Sequence, residues 1–193
     1  MKLIGLSGTN GSGKDTIAHI LRDEYGWYFA DATAMLGDEL TRRGLSHERV
    51  NKAALSSEWR RQHGMGAVVD KGLEFMAATG KEYPGFVVGS LRHPGEADRV
   101  HEEGGVVIWV DADPEIRYAR ITSVDRGRVE DKKTYEQFLA EQEVEMHGKP
   151  NDPVALKISA VKERADIFIV NNGNDVDAFK QQVVAELKKA GLI

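Results

Sequence analysis

Hydrophobic residues are distributed along the chain in two patterns, short continuous runs and a helical repeat. Five short apolar runs are bounded by glycine or polar residues, and they cover residues 2–7, 27–30, 85–89, 106–110 and 167–170. Runs of this length that are apolar throughout predict strands buried on both faces of a parallel sheet. Between the runs, apolar residues recur every three or four positions, which predicts amphipathic helices. Strands that alternate with helices predict a doubly wound α/β fold.

Several helix boundaries carry signals of their own. Helical periodicity runs from about residue 34 to 78, with breaks at glycines. Asp113-Pro114 and Asp152-Pro153 each predict a helix start, because aspartate caps a helix and proline fits its first turn. The segment 123–133 is highly charged and has no apolar face, which predicts a flap.

Composition and charge exclude several classes of function. The chain has 193 residues, of which 41% are hydrophobic and 30% charged, so we expect a single globular domain over 1–193. With no run of eighteen apolar residues and a net charge of −5, neither a membrane nor a nucleic-acid partner is expected. The absence of cysteine excludes disulfides and thiolate metal sites. The first residues do not resemble a signal peptide, which favours a cytoplasmic location.

A glycine-rich motif lies between the first predicted strand and the first predicted helix. Gly8-x-x-x-x-Gly13-Lys14 has the spacing of a phosphate-binding loop. Its glycines let backbone N–H groups face a phosphate, the helix N-terminus adds a positive dipole, and Lys14 adds a charge. The alternative is a structural turn followed by an exposed lysine, which leaves the strand and helix context unexplained. The expected phosphate contacts are Gly8, Asn10, Gly11, Ser12, Gly13, Lys14, Asp15 and Thr16.

The residue after the lysine departs from this motif. Where serine or threonine would hold magnesium there is Asp15, and Thr16 follows it. A carboxylate is a hard oxygen ligand that suits Mg²⁺, so Asp15 and Thr16 are candidate metal ligands. Alternatively, Asp15 only stabilises the positive end of the helix, as acids in a first turn commonly do. The sequence leaves both interpretations open.

Two segments resemble a known superfamily. Residues 8–16, Gly-Thr-Asn-Gly-Ser-Gly-Lys-Asp-Thr, resemble the phosphate loop of the nucleoside monophosphate kinase superfamily, which includes adenylate kinases and dephospho-CoA kinases. Residues 165–173 are similar to the last strand of dephospho-CoA kinases and the loop after it. In that family this loop lies against the adenine, which implies adenine contacts at Asn172 and Gly173.

The resemblance implies a fold, a reaction and two cofactors. The fold is a three-layer α/β/α P-loop NTPase with a five-stranded parallel sheet, a helical acceptor-binding segment at about 34–80 and a small lid at about 121–147. Such kinases transfer the γ-phosphoryl group of ATP with Mg²⁺, the loop lysine and arginines that neutralise the transferring group. Each arginine could instead be a solvated surface charge. The candidate catalytic residues are Lys14, Asp31, Arg92, Arg126 and Arg128, and the candidate lid residues are Arg117, Arg120, Arg126 and Arg128.

The acceptor site has two kinds of candidate residue. Asp31 and Arg92 follow the second and third predicted strands, at the edge where open α/β sheets bind ligands. Asp31 resembles the aspartate that acts on the acceptor hydroxyl in dephospho-CoA kinases, but it could instead hold magnesium-bound water or cap the next helix. Pairs of arginines fit an anionic acceptor. The candidate acceptor contacts are Asp31, Arg42, Arg43, Arg60, Arg61 and Arg92.

The acceptor itself stays open at this point. Gly89-Ser90 stands where the superfamily commonly ends its third strand with aspartate, so the acceptor of adenylate kinase cannot be carried over. We expect phosphoryl transfer to a small nucleotide-like acceptor, in the first place a nucleoside monophosphate, with dephospho-CoA as the alternative. A third hypothesis is a slow ATPase switch or assembly factor that acts through a partner. A monomer or weak homodimer is expected, and the acids Glu141, Glu143 and Glu145 fit a solvated face.

Overall fold

The part of the chain that the structure describes is built around one parallel sheet. The computed structural model describes residues 1–123, 133–148 and 152–193. The strands are β1 (Lys2–Gly8), β2 (Tyr28–Asp31), β3 (Gly85–Gly89), β4 (Val106–Asp111) and β5 (Ile167–Val170). They lie in the order β2-β3-β1-β4-β5, and every neighbouring pair is parallel. All five apolar runs are therefore strands, each within one residue of its predicted ends.

Helices cover both faces of this sheet. On one face of β1, β3 and β4 lie the second, third, fourth, fifth and eighth helices of the chain. The first and ninth helices lie on the other face. This is the predicted three-layer α/β/α arrangement, and it explains why the central strands β1, β3 and β4 are mostly apolar and buried on both faces. The expectation of burial on both faces is wrong for β5, an edge strand in which Phe168 and Val170 are more than half exposed. The helices are α1 (Lys14–Tyr25), α2 (Ala32–Arg42), α3 (Arg49–His63), α4 (Ala67–Ala78), α5 (Pro94–Glu102), α6 (Pro114–Thr122), α7 (Tyr135–His147), α8 (Ile158–Lys162) and α9 (Val176–Lys189).

One predicted helix start is wrong. Residues 153–155 form a turn, and α8 begins only at Ile158. The Asp152 side chain accepts a hydrogen bond from the Val154 N–H at 3.2 Å, which closes a local turn instead of a helix. The carbonyl groups of Pro153 and Val154 bond to side chains of other elements, so they do not continue into a helical ladder. By contrast, a helix does begin at Pro114, as Asp113-Pro114 predicts, although the Asp113 side chain makes no capping hydrogen bond.

Two further expectations concern lengths of chain rather than single residues. Within the described ranges, no helix is long and apolar enough to cross a membrane. The predicted flap at 123–133 falls mostly on residues 124–132, which lie outside the described residues. The same holds for most of the first part of the predicted lid, whereas its second part is the helix α7.

Candidate active site

The phosphate-loop motif joins β1 to α1 and has the shape that the sequence predicts. Gly8 and Gly13 adopt positive φ angles of 149° and 91°. A Cβ atom at Gly8 would lie 2.1 Å from the Val110 carbonyl oxygen, and one at Gly13 would lie 2.6 Å from the Asn171 side-chain nitrogen. The loop therefore requires glycine at both positions, for its backbone conformation and for the close approach of β4 and β5.

Hydrogen bonds from the neighbouring strands hold this loop in place. The Thr9 hydroxyl donates to the Asp111 carboxylate at 2.7 Å, at the end of β4. The Asn171 side chain, just after β5, donates to the Ser12 carbonyl oxygen at 2.9 Å. The Ser12 hydroxyl is buried and has no hydrogen-bond partner among the described residues. Buried hydroxyl groups normally have a partner, so the loop has the capacity for a further polar contact, which fits a phosphate ligand.

Lys14, the first residue of α1, carries a buried positive charge. Burial lowers the pKa of its ammonium group, and the positive charge of Arg92 adds to this effect. The carboxylates of Asp15, Glu145 and Asp31 oppose this lowering of the Lys14 pKa. These groups come from four different parts of the chain, so the fold brings their charges together around one ammonium group. An added phosphate would stabilise the charged form of the lysine.

Asp15 and Thr16 occupy the first turn of α1. The Asp15 carboxylate is 63% exposed and lies 4.0 Å from the Lys14 ammonium nitrogen. Within the described residues there is no group of three or more acids and histidines arranged to hold a metal ion. Mg²⁺ in phosphate sites commonly takes only one or two protein oxygens and completes its shell with phosphate and water. The two side chains fit that limited role, and the placement of Asp15 equally fits stabilisation of the helix end.

Asp31 ends β2 and caps α2. One oxygen of its carboxylate accepts hydrogen bonds from the backbone N–H groups of Thr33 at 2.8 Å and Ala34 at 3.3 Å. The capping role that the sequence allows is therefore confirmed. The other oxygen makes no hydrogen bond within the described ranges, and the carboxylate acts electrostatically on Lys14. A role of Asp31 on an acceptor hydroxyl stays a prediction that its position permits.

Arg92 follows β3 and reaches the same edge of the sheet. One nitrogen of its guanidinium group lies 3.1 Å from a carboxylate oxygen of Glu145 of α7, with which it forms an ion pair. Arg49, the first residue of α3, donates to the same carboxylate at 2.5 Å and to Glu141 at 3.3 Å. The expectation of a solvated face is therefore wrong for Glu145, whose side chain is 19% exposed. Glu141 and Glu145 lie one helical turn apart on α7. Their partner, Arg49 of α3, is distant in the chain, and no sequence pattern predicts this pairing.

The backbone before Arg92 is in an uncommon conformation. Ser90 has a φ angle of 64°, in the left-handed region, and it is the non-glycine residue with positive φ in the described chain. The next residue, Leu91, is anchored to β1 through its N–H group to Leu6 and its carbonyl group to the Ser7 hydroxyl. This sharp turn directs Arg92 across the end of the sheet.

The arginine pairs of the helical segment are not part of this group. Arg42 and Arg43 lie at the end of α2 and pair with Glu39 and Glu58. Asp31 caps the opposite end of the same eleven-residue helix, about 16 Å away at 1.5 Å per residue. The hydrogen bonds from Arg42 and Arg43 lower the pKa of Glu39 to about 2.

Arg60 and Arg61 differ from each other. All three guanidinium nitrogens of Arg60 donate within the protein, to Glu96 at 2.8 Å, the Val154 carbonyl at 2.9 Å and the Ser56 hydroxyl at 3.1 Å. Arg60 is 1% exposed, so the expectation that it binds the acceptor is corrected to a buried structural role. Arg61 is exposed and lies 4.0 Å from Asp152.

The two lid candidates that the structure describes are fastened to the phosphate loop. Arg117 is buried against Phe138 and donates to the Asn10 carbonyl and, by a short hydrogen bond, to Gln142 of α7. Burial lowers the pKa of Arg117, and Asp111 opposes this effect. Arg117 is therefore a buried link between loop and helix in this structure rather than a free lid arginine.

Arg120 joins the phosphate loop to the loop after β5. Its guanidinium group donates to the Gly11 carbonyl at 3.3 Å, to the Asn171 carbonyl at 2.9 Å and to the Gly173 carbonyl. Asn172 accepts a hydrogen bond from the Asp113 N–H at 2.8 Å. The adenine contacts of Asn172 and Gly173 stay predictions. The other lid candidates, Arg126 and Arg128, lie outside the described residues.

Comparisons with known proteins identify the fold. No family model matches the chain. A UPF0200 protein of Methanococcus maripaludis is 25% identical over 178 residues, which are 92% of this chain and 91% of that protein. The solved structure of shikimate kinase from Bacteroides thetaiotaomicron aligns with a TM-score of 0.59 at 12% identity, over 98% of both chains. Shikimate kinase from Acinetobacter baumannii, in complex with shikimate, aligns with a TM-score of 0.55 at 17% identity, over 97% of this chain and 93% of that one. The chain therefore has the fold of the P-loop small-molecule kinases.

Proposed function

We propose that the protein is an ATP- and Mg²⁺-dependent kinase that phosphorylates a small nucleotide-like acceptor. The observation that carries this proposal is the phosphate loop with the buried Lys14, around which Asp31 and Arg92 converge at one sheet edge. Ligands of open α/β sheets bind at this edge. The fold of the small-molecule kinases supports the proposal, and a nucleoside monophosphate is the first acceptor to test.

The residues of the loop would bind and orient the nucleotide. The backbone of residues 8–13 and the N-terminus of α1 would face its phosphates, and Lys14 would place a positive charge beside them. Mg²⁺, held by Asp15 and Thr16 together with the phosphates, would neutralise negative charge on the transferring group. Arg92, at the same edge, adds a second fixed positive charge.

Asp31 supports a second candidate acceptor. Its free carboxylate oxygen lies at the end of β2, where it could orient an attacking hydroxyl group or accept its proton. A nucleoside monophosphate attacks through a phosphate oxygen and needs no such base, whereas dephospho-CoA attacks through a hydroxyl group. Phosphorylation of dephospho-CoA is therefore the second function to test.

An acceptor panel tests the proposal. ATP consumption with Mg²⁺ is measured with ribo- and deoxynucleoside monophosphates, dephospho-CoA and nucleosides, using Lys14→Ala as the inactive control. One acceptor should raise turnover at least about a hundredfold above the background ATPase. A flat panel with slow, Lys14-dependent hydrolysis would replace this proposal with the ATPase switch.

Asp31→Asn separates the two acceptors. This variant keeps an oxygen that can cap α2 but loses the base. It should lower the rate with a hydroxyl acceptor by about 10²–10⁴-fold and leave the rate with a nucleoside monophosphate nearly unchanged.

A further inference from the structure

His93 is a buried histidine whose two ring nitrogens both make hydrogen bonds. It lies directly before Pro94, the first residue of α5. Its Nδ1 atom lies 3.1 Å from the backbone nitrogen of Gly95, and its Nε2 atom lies 2.8 Å from the carbonyl oxygen of Pro153. An N–H group can only donate and a carbonyl group can only accept, so Nδ1 must accept and Nε2 must carry the proton. These partners therefore assign one tautomer of the neutral ring.

The two hydrogen bonds of the ring join segments that are 60 residues apart. The bond from Gly95 caps the N-terminus of α5, where backbone N–H groups have no partner within the helix. The bond to Pro153 holds the turn that leads to α8. Within the same segment, the Lys157 N–H group donates to the Arg92 carbonyl oxygen at 2.9 Å. Residues 153–157 are therefore fastened at two points to residues 92 and 93.

Charged groups from several parts of the chain surround the ring. Burial lowers the pKa of His93, and the positive charge of Arg60 on α3 adds to this effect. The hydrogen bond to Pro153 and the carboxylates of Glu96 and Asp98 on α5 oppose this lowering of the pKa. Each acid near the ring, including Asp152 on the turn, already has a cationic partner. These pairs are Glu96 with Arg60, Asp98 with Arg164 and Asp152 with Arg61, and the neighbouring Arg92 is itself paired with Glu145.

A second proton on this ring would break the cap of α5. Protonated Nδ1 is a donor, and it would face the N–H group of Gly95, which is also a donor. The charged ring would in addition lie at the positive end of the helix dipole. The ring would have to leave this position, and the Pro153 carbonyl would then lose the side chain that holds it.

We propose that His93 is a pH-sensitive latch. In its neutral form it holds the start of α5 against the turn at residues 153–155, and in its protonated form it releases both and loosens the backbone that carries Arg92. Mild acid would thereby lower the activity of the site without unfolding the chain. The latch itself stands on the hydrogen bonds of His93, whereas its effect on the reaction rests on the proposed function.

The pH window follows from the direction of the pKa shift. The pKa of His93 in the closed structure is lower than its usual value of 6.5, because the ring is buried. A ring that has left its position is solvated and regains a pKa near the usual value. The open form therefore binds more protons than the closed form at pH values below 6.5, and opening becomes more favourable as the pH falls. Above 6.5 the latch stays closed.

Hydrogen exchange tests the latch in the whole protein. Protection factors, which correct for the intrinsic pH dependence of exchange, are measured by NMR from pH 7.5 to pH 5 for three amides. Gly95 and Lys157 report on the two sides of the latch. Leu91, whose N–H group donates to the Leu6 carbonyl of β1 at 2.9 Å, reports on the sheet. The ¹⁵N signals of the His93 ring are followed in the same samples, because they distinguish the two tautomers and the charged form.

The expected result is a loss of protection that follows the charge of the ring. As His93 becomes protonated, the protection of Gly95 and Lys157 should fall at least about fivefold, while that of Leu91 should stay constant. His93→Asn should remove this pH dependence, because the asparagine oxygen can cap α5 and does not titrate. His63→Asn is the matched control, because His63 is exposed at the end of α3, and it should behave like the wild type.

The pH profile of turnover shows the consequence for the reaction. With the best acceptor of the panel, kcat/KM of the wild type should fall at least about threefold more than that of His93→Asn between pH 7.5 and pH 5.5. A merely structural role of His93 would instead lower kcat/KM of the variant by the same factor at every pH. If no acceptor raises turnover, the kinase proposal fails, while the exchange measurement still tests the latch.

Three results would overturn the inference. A His93 ring that stays neutral down to pH 5 would show that the group does not titrate in mild acid. Protection of Gly95 and Lys157 that stays constant while the ring becomes charged would show that the proton does not open the latch. Both results come from the wild type, so they are decisive even if His93→Asn does not fold. An equal loss of protection in the wild type and in His93→Asn would assign the opening to another group.

Discussion

At the scale of a single residue, the burial of Lys14 bears on the stability of the ligand-free protein and on its capacity to bind an anion. The ammonium group is buried, and burial lowers its pKa although three carboxylates lie near it. A charge buried without a bonded partner destabilises the folded chain, and the phosphate of a ligand would compensate for this. The same residue would therefore lower the stability of the free protein and strengthen the binding of an anion.

The pH dependence of stability tests this interpretation. Because the pKa of Lys14 is lower in the folded chain than its usual value of 10.5, the unfolded chain binds more protons between these two values. The free energy of unfolding should therefore gain a contribution that rises with pH through this window. Lys14→Met should lack the rise and should be more stable by about 1 kcal/mol at pH 7.

Urea unfolding of the ligand-free wild type and of Lys14→Met from pH 7 to pH 10 measures this difference. Two curves that stay parallel over the whole range would contradict a buried, destabilising ammonium group.

At the scale of elements, a buried ion pair joins α3 and α5 to the turn before α8. Arg60 and Glu96 are both almost fully buried and are 2.8 Å apart. Glu96 also accepts hydrogen bonds from the backbone N–H groups of Arg92, at 2.7 Å, and His93, at 3.1 Å. The pair thereby fixes the backbone from which the Arg92 side chain extends.

Removing one member of this pair should be costly. Arg60→Leu leaves a buried carboxylate without its counter-ion and should lower the free energy of unfolding by about 3–5 kcal/mol. The double variant Arg60→Leu, Glu96→Gln should be more stable than Arg60→Leu alone, because the buried charge is gone and the amide can still accept from the backbone. Arg61→Leu, at the exposed neighbouring position, should change the free energy by less than about 0.5 kcal/mol.

Urea unfolding at neutral pH gives these values. Glu96→Gln is measured alongside, and a double variant whose loss of stability equals the sum of the losses in Arg60→Leu and Glu96→Gln would contradict the coupling that the geometry indicates.

The elements also show what could be predicted from the sequence. The positions of the strands, of most helix starts and of the glycine-rich loop depend on local signals, such as the run 85–89 or Gly8 to Lys14, and the structure confirms them. Phosphate binding by this loop stays a prediction. Arg60 and Glu145 depend on partners 36 residues or more away, which a local pattern does not contain. The turn at Asp152 also depends on distant partners. The Val154 carbonyl accepts a hydrogen bond from Arg60 of α3, and the Pro153 carbonyl bonds to the side chain of His93.

At the scale of the whole molecule, a nucleotide that binds the folded chain must stabilise it. At a free concentration one hundred times its dissociation constant, a ligand adds about 2.7 kcal/mol. For a chain of this size this corresponds to a rise in Tm of about 5–10 °C. A thermal melt with a non-hydrolysable ATP analogue should show this rise in the wild type and lose it in Lys14→Met.

The same melt tests the metal. The additional rise that Mg²⁺ gives should shrink in Asp15→Asn if this carboxylate holds the ion. It should persist if Asp15 only stabilises the end of α1. No rise with nucleotide in the wild type would contradict the proposed function itself.

The buried side chain of Arg117 has a consequence for how two ligands would influence each other. Through one nitrogen it donates both to the Asn10 carbonyl of the phosphate loop and to Gln142 of α7, the helix that also carries Glu145. A change at Asn10 on nucleotide binding would therefore be transmitted to α7, and a nucleotide at the loop and an acceptor beside α7 would share a coupling free energy. Coupling of this kind is reciprocal: whatever factor the nucleotide adds to the acceptor's affinity, the acceptor must add to the nucleotide's.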